Sequence, residues 1–144
     1  MHVEAEHLAD YLTEGALRIV PTEVCRAFSG YLDSLPWDAS GARLDWAAVP
    51  HREIRLRGVS EEDVVTLLGD SRAARHGHLL VLYSPTEPGL LCDFSFGARN
   101  FDELYWKAPG VRFMCGAGIR EGELVPISGD LIQVDGGAVL TALI

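Results

Sequence analysis

The spacing of apolar residues changes near His78 from that of helices to that of strands, and this change constrains the fold more than any other feature. Before it, apolar residues recur every three or four positions, the period of a helix with one buried face. After it, short apolar segments are separated by turn-forming residues such as Pro109-Gly110 and Gly136-Gly137. Helices followed by a run of strands predict an α+β fold: a single, mostly antiparallel sheet of about six or seven strands, with the N-terminal helices packed on one face.

The first half of the chain contains three segments with amphipathic helical spacing. We predict helices over residues 3–13, 23–35 and 61–68, and a shorter one over 101–106. Thr22 and Ser60 are typical N-caps, because their side-chain oxygens can accept a backbone N–H. Pro36 and Gly69 end the second and third helices, since neither residue continues a helix readily.

The predicted strands are shorter, and most of them lie in the second half. They cover residues 17–20, 52–57, 78–84, 90–96, 111–115, 131–134 and 138–143, and residues 119–127 form a hairpin. A hairpin is expected to turn at Glu121-Gly122, and a second one joins the last two strands across Asp135-Gly136-Gly137. A chain of 144 residues is the size of one domain, so we predict a single domain over residues 1–144.

Composition narrows the classes of function. The chain has 12 basic and 21 acidic residues, a formal net charge of −9, which argues against a nucleic-acid partner because such a protein needs a basic face. No apolar run approaches the roughly 20 residues of a membrane span, and the first residues do not resemble a secretion signal. We therefore predict a cytoplasmic protein that does not bind membranes.

The cysteines and histidines do not form a recognisable metal or redox motif. Cys25, Cys92 and Cys115 are odd in number and far apart, which is typical of buried reduced thiols; one reactive thiol is the alternative. His76 and His78 would share a strand face and could meet one ion, but only Cys92 or Asp93 suggests a third ligand. We predict neither a metal nor a cofactor.

Two glycine- or serine-containing segments resemble catalytic motifs only in part. Gly116-Ala117-Gly118 lacks the third glycine of a dinucleotide-binding loop. The segment around Ser95 lacks the first glycine of a nucleophile elbow and the parallel sheet that such an elbow needs. The sequence therefore assigns no catalytic residue, and we predict a protein that is not an enzyme.

Acidic residues gather at two predicted helix starts, one of them beside aromatic residues. Acids near aromatic anchors suit the binding of a basic protein, although a solubilising surface would explain the acids equally well. The predicted protein-binding residues are Glu61, Glu62, Asp63, Asp102, Glu103, Tyr105, Trp106 and, in the loop 36–50, Trp37.

In its small size, single domain, acidity and lack of a catalytic motif, the chain resembles the immunity proteins of bacterial polymorphic toxin systems. The resemblance covers the whole chain and consists of these general properties. It implies an inhibitor that neutralises a cognate toxin enzyme, often a basic one, by occluding its active site with an acidic surface. Two alternatives stay open: a small enzyme or ligand-binding domain with a pocket between sheet and helices, and a subunit of a larger complex.

Overall fold

A computed structural model describes residues 6–37, 39, 45–47, 49–82, 88–101, 104, 112–134 and 139–144. The helices in these ranges are α1 (Glu6–Glu14), α2 (Thr22–Asp33), α3 (Glu61–Asp70) and α4 (Phe94–Arg99), with a 3₁₀ helix, η1 (Arg72–Arg75). Ser60 caps α3 as predicted, because its Oγ accepts a hydrogen bond from the backbone N–H of Asp63 at 3.2 Å. No helix in these ranges has the length and hydrophobicity needed to cross a bilayer.

Seven strands form one antiparallel sheet in the described part of the chain. They are β1 (Leu17–Val20), β2 (His51–Arg55), β3 (His78–Leu82), β4 (Gly89–Asp93), β5 (Arg112–Arg120), β6 (Glu123–Val134) and β7 (Val139–Leu143). Their order is β1-β4-β3-β5-β6-β7-β2, so the two strands from the N-terminal half lie at the edges. The predicted α+β class with a single antiparallel sheet is confirmed.

The helices cover both faces of the sheet, and this corrects the expectation of a single covered face. Leu79 and Val81 of β3 lie in one cluster of buried residues with the apolar side of α3. Leu80 and Leu82 point the opposite way and pack with Phe28 of α2. Both sides of β3 are apolar and buried, so each needs its own covering layer.

The structure also changes the end of one predicted strand. Residues 90–96 were expected to be extended, but β4 ends at Asp93 and α4 begins at Phe94. His78, the first residue of β3, pairs with Asp93, so the ladder between β3 and β4 ends there. The N–H of Phe94 donates instead to the carbonyl of Gly77 at 3.0 Å. A strand needs a partner for its backbone groups, and α4 satisfies them internally.

Both predicted hairpins in the second half are confirmed where the structure describes them. Glu121 and Gly122 have φ values of 53° and 81°, as expected for a tight turn between twisted antiparallel strands. β6 pairs with β7 as predicted, with Val134 opposite Leu140. Of the predicted helix 101–106, only Phe101 and Leu104 are described, and both are helical and buried.

Candidate functional site

The predicted acidic residues of α3 are displayed on a rigid helix. The side chains of its first turn, Glu61, Glu62 and Asp63, are exposed, and their negative charges interact favourably with the helix dipole. The opposite side of α3 is buried through Val64, Leu67 and Leu68. Among the described residues, none forms an ion pair with these three carboxylates. We call Glu61, Glu62 and Asp63 the acidic triplet.

Trp37 does not lie with the acidic triplet. It packs on the face covered by α2, whereas α3 covers the other face. Its indole Nε1 donates to the carbonyl of Leu32 at 3.1 Å, and its ring meets that of Phe113 edge to face, with centroids 5.6 Å apart. Trp37 is therefore already engaged in fastening the end of α2 to the sheet. The other four predicted binding residues, Asp102, Glu103, Tyr105 and Trp106, lie outside the described residues.

A group of polar side chains that the sequence analysis did not assemble lies at the far end of α3. Asp130 accepts a hydrogen bond from His76, with Oδ2 and Nε2 2.5 Å apart. Arg72 approaches the other carboxylate oxygen, with its Nε 3.7 Å from Oδ1. The side chains of Arg72, His76 and Asp130 are 44%, 24% and 16% exposed, so all three reach the surface. We call them the Arg–Asp–His group.

An irregularity in the sheet positions the carboxylate. β5 and β6 pair regularly until Cys115 lies opposite Leu131, and the next residue, Gly116, lies opposite Ile127. Residues 128–130 therefore have no counterpart on β5 and bulge from the ladder. Such bulges redirect side chains and are common beside active sites. Here the bulge brings Asp130 to η1.

The imidazole of His76 is seated against a glycine. A Cβ at Gly116 would overlap the His76 ring at Cδ2 and lie 3.0 Å from the carbonyl oxygen of Ala73. The absence of a side chain at Gly116 thus allows η1 and the imidazole to approach β5. The Gly116-Ala117-Gly118 segment, which resembles a nucleotide loop only in part, lies within β5 in the structure.

The two histidines considered as a metal pair contact different carboxylates. His78 Nε2 lies 3.6 Å from Asp93 Oδ1, and Asp93 is 78% exposed. His76 belongs to Asp130 instead. Within the described ranges, no three His, Cys, Asp or Glu side chains are arranged to hold a metal ion.

The structure disfavours the alternative of a reactive thiol. All three cysteines are buried. Burial, with a smaller contribution from the charge of Asp93, raises the pKa of Cys92 to about 12. Burial also raises the pKa of Cys25. The thiolate is the reactive form of cysteine, so these environments suppress nucleophilic chemistry.

An open cleft of about 350 Å³ lies between the β1 edge of the sheet, the start of α2 and the β5–β6 hairpin. Its apolar wall includes Val20, Val24, Leu91 and Leu124. The charged residues that line it are Arg18 and Glu123. A cleft with apolar walls and few polar groups is the usual form of a small-molecule site.

Comparison with known proteins adds no assignment. No model of a protein family matches the chain, and no curated protein matches its sequence.

Proposed function

We propose that this protein is an inhibitor that binds a cognate bacterial toxin enzyme in the cytoplasm and blocks its active site with an acidic surface. The observation that carries the proposal is the acidic triplet, three consecutive exposed carboxylates at the start of α3. The formal net charge of −9 gives the whole molecule the same sign. Acidity is one of the general properties in which the chain resembles immunity proteins, together with its small size, single domain and lack of a catalytic motif.

The packing of α3 supports this role because it fixes the triplet in space. Val64, Leu67 and Leu68 bury one side of the helix, and Ser60 caps its start. Charges on a rigid element lose little freedom when a partner binds. A fixed acidic surface also attracts a basic partner over a distance and raises the rate of association.

The proposed contact surface combines the triplet with the segment that carries Asp102, Glu103, Tyr105 and Trp106. Phe101 and Leu104, the described residues of that segment, lie in the same cluster of buried residues as α3. Both parts are therefore anchored to one face of the sheet. Trp37 packs on the other face, and in this proposal it supports the fold.

The partner is identified first by co-purification from the native host, and its binding kinetics are then measured. We expect Glu61→Lys with Glu62→Lys to slow association roughly tenfold at low salt, because steering by charge contributes factors of that order. Raising the salt concentration should remove most of the difference, since screening shortens the reach of these charges.

The matched control is Asp10→Lys with Glu14→Lys, which makes the same change of charge at exposed positions of α1. Its association rate should fall much less. Strong binding that ignores salt and both double variants would show that the acidic surface has no role. If no protein partner is found while the chain binds or converts a small molecule, the inhibitor proposal fails.

A small-molecule binding function is the second candidate, and the cleft beside β1 is the observation that favours it. An apolar ligand with an anionic group would match its apolar wall and Arg18. The fluorescent probe anilinonaphthalene sulfonate has this chemistry. We expect Leu124→Ser to weaken its binding and Ile119→Ser, at an exposed hairpin position that does not line the cleft, to leave it unchanged. Equal fluorescence for all three proteins would exclude the cleft.

A further inference from the structure

The Arg–Asp–His group contains more contacts than are needed to hold η1 against β6. One hydrogen bond would join η1 to β6, yet the carboxylate also has Arg72 beside it, and the imidazole sits where Gly116 leaves space. Regular pairing between β5 and β6 is interrupted at residues 128–130, and this interruption places Asp130 beside η1. All three side chains are nevertheless partly exposed to solvent.

The hydrogen bond determines which ring nitrogen of His76 is free. The carboxylate oxygen Oδ2 of Asp130 accepts this hydrogen bond, so Nε2 is the ring nitrogen that carries the proton. Neutral His76 then keeps a lone pair on Nδ1. The ring carbons Cδ2 and Cγ lie against Gly116, and the His76 side chain is 24% exposed. A base whose orientation is fixed by a third group is the usual arrangement for proton transfer.

Arg75 adds a place for an anion. Side chains three residues apart in a 3₁₀ helix lie one above the other, so Arg72 and Arg75 share a side of η1. Arg72 faces Asp130, whereas Arg75 is exposed and has no ion pair among the described residues. A guanidinium pairs well with carboxylate or phosphate oxygens.

We propose that Arg72, Asp130 and His76 form a proton-transfer site for a small hydroxylated anion, whose carboxylate or phosphate group is bound by Arg75. A proton leaves the hydroxyl of the bound molecule for Nδ1 of His76, and the electron pair stays on the oxygen. The resulting imidazolium is stabilised by the Asp130 carboxylate. This activity goes beyond the proposed inhibition: α3 is about 15 Å long at 1.5 Å per residue, and the acidic triplet lies at its other end.

The first test measures how readily each histidine is acylated by diethyl pyrocarbonate, with the sites mapped by mass spectrometry. His78 is an internal control, because it is 23% exposed, against 24% for His76, and has no close hydrogen bond to its carboxylate. We expect His76 to be acylated roughly tenfold faster than His78, because a carboxylate that accepts from one ring nitrogen raises the basicity of the other.

Asp130→Asn should reduce the rate of His76 to that of His78. Arg72→Gln, which leaves the hydrogen bond in place, gives a second measurement if Asp130→Asn does not fold, and it should produce an intermediate rate. Nitrogen NMR of the wild-type ring should show the proton on Nε2. The proposal is overturned if His76 reacts no faster than His78, or if its rate is the same in the wild type and a folded variant.

The second test asks whether anions protect His76. Inorganic phosphate and acetate are added separately, and each should slow acylation of His76 without slowing that of His78 if its group is the one recognised. Protection should be lost in Arg75→Gln and retained in Arg99→Gln, an exposed arginine on α4. Protection by neither anion, or equal protection of both histidines, would refute the anion site. The result does not depend on finding a toxin, so it stands apart from the inhibitor proposal.

Discussion

Gly116 shows how one missing side chain can position a functional group. Glycine usually weakens a strand because it contributes no packing, but here any larger residue would collide with His76 and approach the backbone of η1. The close approach of η1 to β5 thus depends on a single residue. Gly118 lies two positions along the same strand, and apart from its chain neighbours no atom of the described residues lies within 4 Å of its Cβ position, so it carries no such constraint.

We expect Gly116→Ala to lower the free energy of unfolding by about 1–3 kcal/mol, the usual cost of forcing atoms into a packed site. Gly118→Ala should change it by less than about 1 kcal/mol, and in the stabilising direction, because alanine restricts the unfolded chain. Urea denaturation of the two variants measures the difference. Equal stabilities would mean that the seat of His76 tolerates a methyl group.

Cys92 gives the protein a dependence on alkaline pH. The pKa of the Cys92 thiol is about 12 in the folded state, against an ordinary value of 9.0 for cysteine. Between these pH values the unfolded chain therefore loses a proton that the folded chain keeps. Stability is therefore complete below about pH 9 and is lost as the pH rises toward 12, by at most about 1.4 kcal/mol per pH unit.

From pH 8 to pH 10, the free energy of unfolding should fall by about 1 kcal/mol more in the wild type than in Cys92→Ala. The alanine variant keeps every other titrating group, including Cys25, so the difference between the two proteins isolates Cys92. Urea unfolding at both pH values provides the measurement. If the two proteins lose stability in parallel, the thiol is not the cause.

At the scale of elements, β7 connects the edge strand β2 to the rest of the sheet. It pairs with β6 on one side and with β2 on the other, and Leu140 at its centre is fully buried. Removing residues 138–144 would leave β2 without a partner and β6 paired on one side, and it would remove the buried Leu140, so the truncated protein should unfold or aggregate. A soluble truncated protein that unfolds cooperatively would contradict this view of β7.

A milder change tests the same strand without removing it. We expect Leu140→Ala to cost about 2–5 kcal/mol, the range for deleting a buried leucine side chain. Ile144→Ala, just beyond the strand at a residue that is 41% exposed, should cost less than about 0.5 kcal/mol. Thermal or urea unfolding distinguishes the two outcomes.

The elements differ in how far the sequence could predict them. Helix α3 and the hairpin at Glu121-Gly122 follow from local residues, namely a capping serine and two positions that adopt positive φ. The start of α4 does not, because the ladder at Asp93 ends where β3 begins, which depends on tertiary pairing. Likewise, His76 and Asp130 are 54 positions apart, and only the bulge brings them together.

One local feature did mark the candidate site. Gly129-Asp130 interrupts an apolar segment of β6, and a glycine within a strand pattern suggests a bulge or a close backbone approach. The pattern could have predicted an irregularity, but the identity of the residue that Asp130 meets depends on register and on η1. The acidic triplet, in contrast, was predictable because helix phase alone decides which of its side chains are exposed.

For the whole molecule, the position of a strand within the sheet should set its protection from solvent. β3 lies between β4 and β5, and residues 79–82 are buried on both faces. β1 and β2 lie at the edges, and β2 carries charged side chains that are exposed.

We therefore expect the backbone amides of β3 to exchange with deuterium most slowly and those of β1 and β2 much faster, because edges open without breaking the core. Hydrogen exchange followed by NMR or mass spectrometry gives the order. Exchange in β2 as slow as that in β3 would show that the sheet opens only as a unit.

The strand order has a consequence for how the chain is made on a ribosome. Arg55 of β2 pairs with Val139 of β7, 84 residues later. At about 5–20 residues per second, β2 is synthesised roughly 4–17 seconds before its partner. Strand pairing itself takes microseconds, so translation sets the pace. Until β3 to β6 have followed, the N-terminal half has its helices and edge strands but no central sheet to receive them, and a holding chaperone has time to bind.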